Sequence, residues 1–295
     1  MNITGKTSVY GIIGNPVSHS LSPVLHNFVY KEFNIDAVYV PFPFEIKQSK
    51  DKKLIKSLMI HFNILGLSVT IPYKFFAYQI ADEKDKLSQL TKASNTLIKK
   101  NDKIMSFNTD GKGALDSLYQ KTEIKNKNIL ILGYGGSASA IAGAILLYDK
   151  PSNLIFTGRN RTKAKKLIKE LNKNIKHNVN IFFKEIEEMQ NKKDLNINEI
   201  DIIINTTPVG MKGYKDQILP LPEEYILKKH IIMDIIYNPL ETDLIKIAKR
   251  KKATYIEGYW MLLYQAIYQM ELFLNIKIND VLIKKLKNLL LKHLK

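Results

Sequence analysis

The stretch NILILGYGGSASAIAGAILLY, residues 128–148, decides the fold. Its apolar ILIL run stops at Gly133, small residues follow, and a second apolar run then continues at helical length. Strand, glycine turn and helix in direct succession form the opening unit of a doubly wound sheet. In a G-x-G-x-x-G/A fingerprint the first glycine makes the tight turn. The second lets backbone approach a pyrophosphate, and the third small residue lets helix and strand pack. Gly133, Gly135 and Ala138 fill these places, with Gly136 and Ser137 completing the turn. The anion would lie at the helix N-terminus, where backbone N–H groups and the dipole favour negative charge. With its strand before and its helix after, the motif favours a dinucleotide over a plain glycine turn.

Downstream, NLIFTGR reads as the next strand, and its end discriminates between the two nicotinamide dinucleotides. An NAD site expects an acidic side chain about 20 residues after the fingerprint, on the ribose 2'-hydroxyl. Here the sequence is TGRNRTKAK, without an acid. Arg159, Asn160, Arg161, Thr162 and Lys165 instead present cations and hydrogen-bonding groups suited to a 2'-phosphate, so NADP is the expected cofactor. A solvated helix start accounts for Lys163 and Lys166 but leaves the missing acid unexplained. TKAKKLIKEL then reads as a helix, DIIINTT and HIIMDII as strands, and ATYI as a short strand before helices close the chain.

Upstream the same alternation occurs. SVYGIIG, DAVYVPF and LGLSVTI read as strands, separated by helices at SPVLHNFVYKEF, which opens on Ser-Pro, and around KKLIKSLMIHF. YKFFAYQI reads as a short helix, and SNTLIKK with KIMSFN as a hairpin across Asn101 and Asp102. The fold class is therefore α/β, with two α/β domains: an N-terminal domain with a mostly parallel sheet, and a Rossmann-like domain.

Composition bounds what such a chain can do. Its 295 residues and 45% hydrophobic content suffice for two cores. No charged leader with an apolar core is present and charges interrupt every apolar stretch, so the expected location is the cytoplasm, with no membrane partner. The absence of cysteine excludes disulfides, thiolate metal sites and a cysteine nucleophile. The six histidines are scattered without paired ligand spacing, so no metal is expected. A net charge of +17 would favour polyanions, but the excess is mostly lysine and spread along the chain. A lysine-biased soluble surface is the simpler account, and no nucleic-acid partner is expected. In the basic tail, residues 282–295, leucines recur opposite lysines. A terminal helix packing its leucines on the domain is favoured over a membrane-surface helix.

In the N-terminal half, polar residues gather at strand ends, where α/β sites are assembled. Ser20 and Ser22 lie in HSLSP, Thr70 and Lys74 flank the proline of VTIPYK, Asn95 sits in ASNTL, and Asn108 and Asp110 sit in FNTD. Taken singly, Ser22 or Asp110 could simply cap a helix, and Asn95 could simply begin a strand. Together they form a hydroxyl, amide, amine and carboxylate set suited to a polyhydroxylated acid.

The motifs YGIIGNPVSHSLSP, VTIPYK, SNTL, NTDG, GYGGSASA, NRT, NTTPVGM, DIIYNP and EGYWMLLYQA occur in this order over nearly the whole chain. In order and near spacing they resemble the shikimate dehydrogenase family and its quinate-using relatives. The resemblance implies a substrate-binding catalytic domain at 1–109, an NADP-binding domain at 110–256, helices at 257–295 returning to the first domain, and a cleft separating the two domains. It also implies reversible reduction of 3-dehydroshikimate to shikimate in aromatic amino-acid biosynthesis, by a monomer or homodimer. Lys74 and Asp110 look like the catalytic pair, with Ser20, Ser22, Thr70, Asn95, Asp110, Tyr237 and Gln265 about the substrate. Gly258 and Met261 look like residues near the nicotinamide. Independent chemistry agrees with the pair: hydride transfer to a carbonyl builds negative charge on oxygen, and an ammonium beside a carboxylate can supply the proton.

Three positions depart from the family pattern. Ser139 stands where many relatives carry arginine, KASN replaces the usual Gly-Ala-Val-Asn before Asn95, and Trp260 occupies a commonly small position. Trp260 could tighten the domain gap or pack outward. Two other readings stay open: a quinate/shikimate dehydrogenase of broader specificity, and a non-catalytic nucleotide- or nucleic-acid-binding protein.

Overall fold

The computed structural model describes residues 3–45, 51–175, 177–186, 188, 196–214, 219 and 221–294, with residues 51–53 as backbone alone. The chain divides into two compact units, Met1–Thr109 with Gln265–His293, and Asp110–Tyr264 with Leu294–Lys295.

The first unit is built on strands β1 (Ser8–Gly14), β2 (Ala37–Pro43), β3 (Ile64–Val69), β4 (Glu83–Lys84), β5 (Thr96–Lys100) and β6 (Lys103–Phe107). Their order across the sheet is β2-β1-β3-β5-β6-β4. β1 pairs in parallel with both β2 and β3, whereas β5 runs antiparallel to β3 and to β6. The β5–β6 hairpin turns across Asn101, at φ 53°, and Asp102, as the sequence indicates. Helices α1 (Ser22–Glu32), α2 (Asp51–His61), α3 (Lys74–Ile80) and α4 (Lys86–Thr91) connect the strands. Ile55, Met59, Leu67, Val69, Phe76, Leu97 and Ile104 are buried together as one core.

A second cluster surrounds His26, which α1 carries inward with Leu25, Val29 and Tyr30. Its ring stacks on Tyr39 at 4.1 Å, and neither ring nitrogen has a hydrogen-bond partner among the described residues. Burial lowers the His26 pKa to about 3, so the imidazole is neutral at physiological pH. This lone histidine on an apolar helix face is a buried core residue.

The second unit holds strands β7 (Asn128–Leu132), β8 (Asn153–Thr157), β9 (Asn180–Phe183), β10 (Ile202–Asn205), β11 (Ile231–Asp234) and β12 (Thr254–Ile256). All its pairings are parallel, in the order β12-β11-β10-β7-β8-β9. Relative to their sequence order this is the Rossmann arrangement, with the switch point between β7 and β10. Ile129, Leu130, Ile131, Ile202, Ile203 and Ile204 are all fully buried, which explains why these strands read as continuous apolar runs instead of alternating ones. The unit's helices are α5 (Asp110–Tyr119), α6 (Gly136–Tyr148), α7 (Arg161–Asn174), α8 (Asp243–Arg250) and the start of α9 (Tyr259–Leu274). Ala138, Ala140, Ala142, Gly143 and Ala144 of α6 are buried, so the small residues that follow the glycine turn let this helix press close to its surroundings.

The remainder of α9 and α10 (Asp280–Leu294) count with the first unit, apart from the last residue of α10. In α10, Leu282, Leu286 and Leu290 are buried, each contributing about 2 kcal/mol relative to exposure, while Lys285 pairs with Glu32 of α1. The leucine stripe is thus a packing face, as expected; Lys295 lies outside the described residues. Among the described residues no helix is long and apolar enough to cross a membrane, and no three His, Asp or Glu side chains gather to hold a metal.

Candidate active site

In the first unit the predicted residues lie where β1 and β3 end. Thr70 follows β3 directly: its N–H donates to Ile13 O at 3.0 Å, and Asn15 N–H donates to Ile71 O at 3.1 Å, clipping the turn to the end of β1. Gly14 is required here, because a Cβ would lie 2.3 Å from Thr70 Cγ2. Pro72 lies in the turn that follows the strand, and Lys74 is the first residue of α3. A cation at a helix N-terminus faces the positive end of the dipole, an unfavourable place by about 0.3–1 kcal/mol. Helix stability therefore does not account for Lys74. Its main-chain oxygen accepts from Ser94 N–H at 2.8 Å, tying it to the residue before Asn95.

Asn95 is buried in a hydrogen-bonded set. Its Oδ1 accepts from Thr109 N–H at 2.8 Å and from the Thr96 hydroxyl at 3.0 Å. Its Nδ2 donates to Thr109 Oγ1 at 2.9 Å and faces Gln265 Oε1 at 3.4 Å. Thr109 Oγ1 donates onward to Gln265 O at 3.1 Å. The bland role of Asn95, beginning a strand, is thus insufficient: the side chain joins β5, the segment before Asp110, and α9. Ser22 is not the N-cap of α1 either. Leu21 holds that position without a side-chain cap, and Ser22 is a buried first-turn residue whose N–H donates to Ser20 Oγ at 3.3 Å.

Asp110, buried, begins α5 in the second unit, directly after Thr109 in the chain. The same unit holds Tyr237, Gly258 and Met261. Gly258 sits so close to the chain before Tyr237 that a Cβ would lie 2.3 Å from Ile236 O and 2.4 Å from Ile235 C. Burial raises the Tyr237 pKa, keeping the phenol protonated. Trp260 stacks on Tyr259 at 5.1 Å and on Tyr264 at 5.9 Å, forming an aromatic ladder along its own helix.

The glycine turn occupies the switch point. Gly133 has φ 105°, and a Cβ there would meet Thr206 Oγ1 at 2.7 Å. At Gly135 and Gly136 a Cβ would meet nothing within 4 Å, so the open side of the turn leaves room for a ligand at the start of α6. Beside it lies a cavity of about 450 Å³, lined by residues after β7 to β10, including Arg159, Thr207 and Val209. Asn160 caps α7 by accepting from Lys163 N–H at 2.9 Å, so its carbonyl oxygen serves the helix. The Arg161 guanidinium lies over the Phe183 ring at 5.8 Å, and Thr162 and Lys165 are exposed on the first turns of α7. Of this basic segment Arg159 lines the cavity itself, while Arg161, Thr162 and Lys165 follow it on the first turns of α7.

Residues 12–97 match the family described as the shikimate dehydrogenase substrate binding domain. Over 271 residues the chain is 43% identical to the shikimate dehydrogenase (NADP(+)) of Methanosphaera stadtmanae, covering 92% of this chain and 93% of that protein. This chain belongs to the shikimate dehydrogenase family.

Solved structures of the family agree. A shikimate dehydrogenase crystallised in complex with NADP+ aligns with TM-score 0.88 and 33% identity, covering 100% of this chain and 98% of that one. The shikimate 5-dehydrogenase of Listeria monocytogenes, crystallised with shikimate and NAD, aligns with TM-score 0.87 and 26% identity over 98% of each chain.

Several residues of this family member escaped the sequence reading. Thr206, Thr207, Glu185 and Ile186 line the cavity beside the glycine turn. Of these, Thr206 and Thr207 lay within a quoted motif without an assigned role, while Glu185 and Ile186 follow β9, whose short NIFF run is too brief to show a period. Asp234, fully buried at the end of β11, accepts from Thr242 Oγ1 at 2.6 Å, Asn205 Nδ2 at 3.1 Å and Ile236 N–H at 3.1 Å. Burial raises its pKa to about 6 despite these donors. Asn205 Oδ1 in turn accepts from Thr207 Oγ1 at 2.7 Å, so one buried carboxylate holds both the cavity loop and the segment leading to Tyr237.

Proposed function

We propose that this chain catalyses the reversible NADP-dependent reduction of 3-dehydroshikimate to shikimate, with the proton handled by Lys74 and Asp110. The observation that carries the residue assignment is the buried Asn95–Thr109–Gln265 set, fastened through Ser94 to the main chain of Lys74 and continuing directly into Asp110. A ring that bears hydroxyls and a carboxylate needs amide and hydroxyl partners at fixed directions, and a reacting carbonyl needs an amine. Thr70, Asn95 and Gln265 serve the ring hydroxyls, Ser20 and Ser22 the carboxylate, and Tyr237 completes the set. NADPH, when bound, supplies the hydride. Lys74 gives a proton to the oxygen on which charge develops, and in the oxidative direction the Lys74–Asp110 pair accepts the proton of the alcohol.

Gly133, Gly135, Gly136, Ser137 and Ala138 would hold the pyrophosphate, while Asn160 Nδ2, Arg161, Thr162 and Lys165 would meet the 2'-phosphate; Gly258 and Met261 serve the nicotinamide end. Residues 1–109 with the C-terminal helices act as the substrate domain, and the doubly wound unit as the cofactor domain. The enzyme works in the cytoplasm, as a monomer or homodimer, in aromatic amino-acid biosynthesis. Replacing Arg161 by alanine is expected to raise the KM for NADP by roughly 10- to 100-fold, as for loss of a charge-assisted hydrogen bond. The KM for NAD, which lacks the phosphate, should stay within about twofold. Equal weakening of both cofactors in steady-state kinetics would remove Arg161 from the 2'-phosphate site.

A further inference from the structure

On α9, Gln269 lies one helical turn beyond Gln265, is buried, and has both ends of its amide engaged. Asn95 O, a main-chain carbonyl that can only accept, faces one end of the Gln269 amide and so fixes that end as Nε2, while Ser68 Oγ–H donates to Gln269 Oε1 at 2.7 Å. Gln269 Nε2 therefore donates, to Asn95 O at 3.1 Å and to Thr96 Oγ1 at 3.2 Å. With its oxygen accepting from Gln269, the Thr96 hydroxyl directs its own proton to Asn95 Oδ1, 3.0 Å away. That bond and the one from Thr109 N–H hold Asn95 with its oxygen inward and its Nδ2 toward Gln265. A chain of bonds with one direction thus runs from Ser68 on β3, through Gln269 and Thr96, to the amide of Asn95. Isolated, each neutral hydrogen bond is modest, but a buried network with a single polarity orients its last member more strongly than any one pair.

We propose that Gln269 is a positioning residue of the substrate site, setting through Thr96 the direction in which Asn95 presents its Nδ2 donor. This rests on the assignment of Asn95 to substrate. Gln269→Met, which keeps the length of the side chain and removes its polarity, is expected to raise the KM for shikimate about five- to tenfold, the effect of a lost neutral hydrogen bond. Turnover and the KM for NADP should stay within about twofold. Thr96→Val should do the same, and the double variant should be no worse than the more affected single variant, because both cut one chain. Gln269→Glu should do at least as much harm as Gln269→Met, since its carboxylate accepts the Thr96 proton and turns it away from Asn95. Additive effects in the double variant, or an unchanged shikimate KM in both single variants, would overturn the proposal. A separate readout is the Asn95 side-chain amide signal in the 15N–1H spectrum of the free enzyme, which should move in both variants; an unmoved signal would also overturn the relay. Asn95→Ala separates the two layers. If it leaves the shikimate KM unchanged, the substrate role of Asn95 falls, while the amide signal still decides whether Gln269 orients it.

Discussion

Lys74→Ala is expected to leave shikimate binding largely intact and to lower turnover by about two orders of magnitude or more, the usual contribution of a positioned proton donor. The expectation comes from where the residue stands. Lys74 begins α3, where a cation is disfavoured by the helix itself, and its main chain is fastened to the strand start that carries Asn95. Binding is shared among several hydroxyl and amide groups, so losing the amine should cost little affinity. The alkoxide that forms when hydride reaches the carbonyl has no such redundancy. Lys74→Arg sharpens the test, because a guanidinium keeps the charge but does not release its proton near neutral pH. If proton transfer is the role, arginine should be nearly as inactive as alanine; recovery by arginine would mean that charge alone suffices. Near-normal turnover in Lys74→Ala, measured with saturating shikimate and NADP, would contradict the assignment.

The second large effect is expected at Gly258, on stability first. A methyl group there would meet main-chain atoms, Ile236 O at 2.3 Å and Ile235 C and O at 2.4 Å, instead of a side-chain end that could swing away. That backbone is itself held: Ile235 N–H donates to Asn205 O at 3.2 Å and Ile236 N–H to Asp234 Oδ1 at 3.1 Å. On the other side, Leu262 N–H donates to Gly258 O at 3.2 Å as α9 begins. Relief must therefore break a bond of the buried Asp234 network or unwind the first turn of α9. Gly258→Ala is expected to cost about 3 kcal/mol, at the upper end for overpacking, and so to lower the melting temperature by roughly 6–12 °C. A melting temperature within about 2 °C of the parent chain would show that the segment yields more easily than its bonds suggest.

These positions also show how far sequence carries. The cofactor unit was legible because its signals are local: ILIL, Gly133, Gly135 and Ala138 lie within one strand, turn and helix, and the missing acid in TGRNRTKAK lies at the next strand end. The basic tail was legible too, since the leucines of α10 bury at their helical spacing. Shorter elements were not. β4 has two residues, α4 six and β9 four, too few for a period to appear, and with β9 went the cavity residues Glu185 and Ile186. The sheet of the first unit is mostly parallel, as read: β1 pairs in parallel with β2 and β3, and β4 with β6, while β5 runs against both its neighbours.

In the candidate site, a residue type alone does not settle a local role. Ser22, which could have capped a helix, is a buried first-turn residue, and Asn160 uses its oxygen to cap α7 through Lys163 N–H, which leaves its Nδ2 for the proposed phosphate contact. Gln269 and Thr96 gave no signal as single residues, since their significance lies in bonds between β3, β5 and α9 that are far apart in the chain. Trp260, whose role sequence left open, stacks along its own helix with Tyr259 and Tyr264. Several surface cations meet separate carboxylates, as Lys103 meets Glu83, Lys246 meets Asp243 and Lys277 meets Glu271, and the net charge of +17 is the excess beyond such pairs. Such exposed pairs add little stability.

Absorbance at the nicotinamide band, with the purified chain and shikimate or quinate in the presence of NADP or NAD, separates turnover from mere binding. Steady reduction of NADP with shikimate is expected, with slower reduction for quinate and for NAD, and loss of the signal in Lys74→Ala. No absorbance change with shikimate and either cofactor, together with steep salt-dependent binding to DNA or RNA, would contradict it and favour a nucleic-acid binder on the same fold.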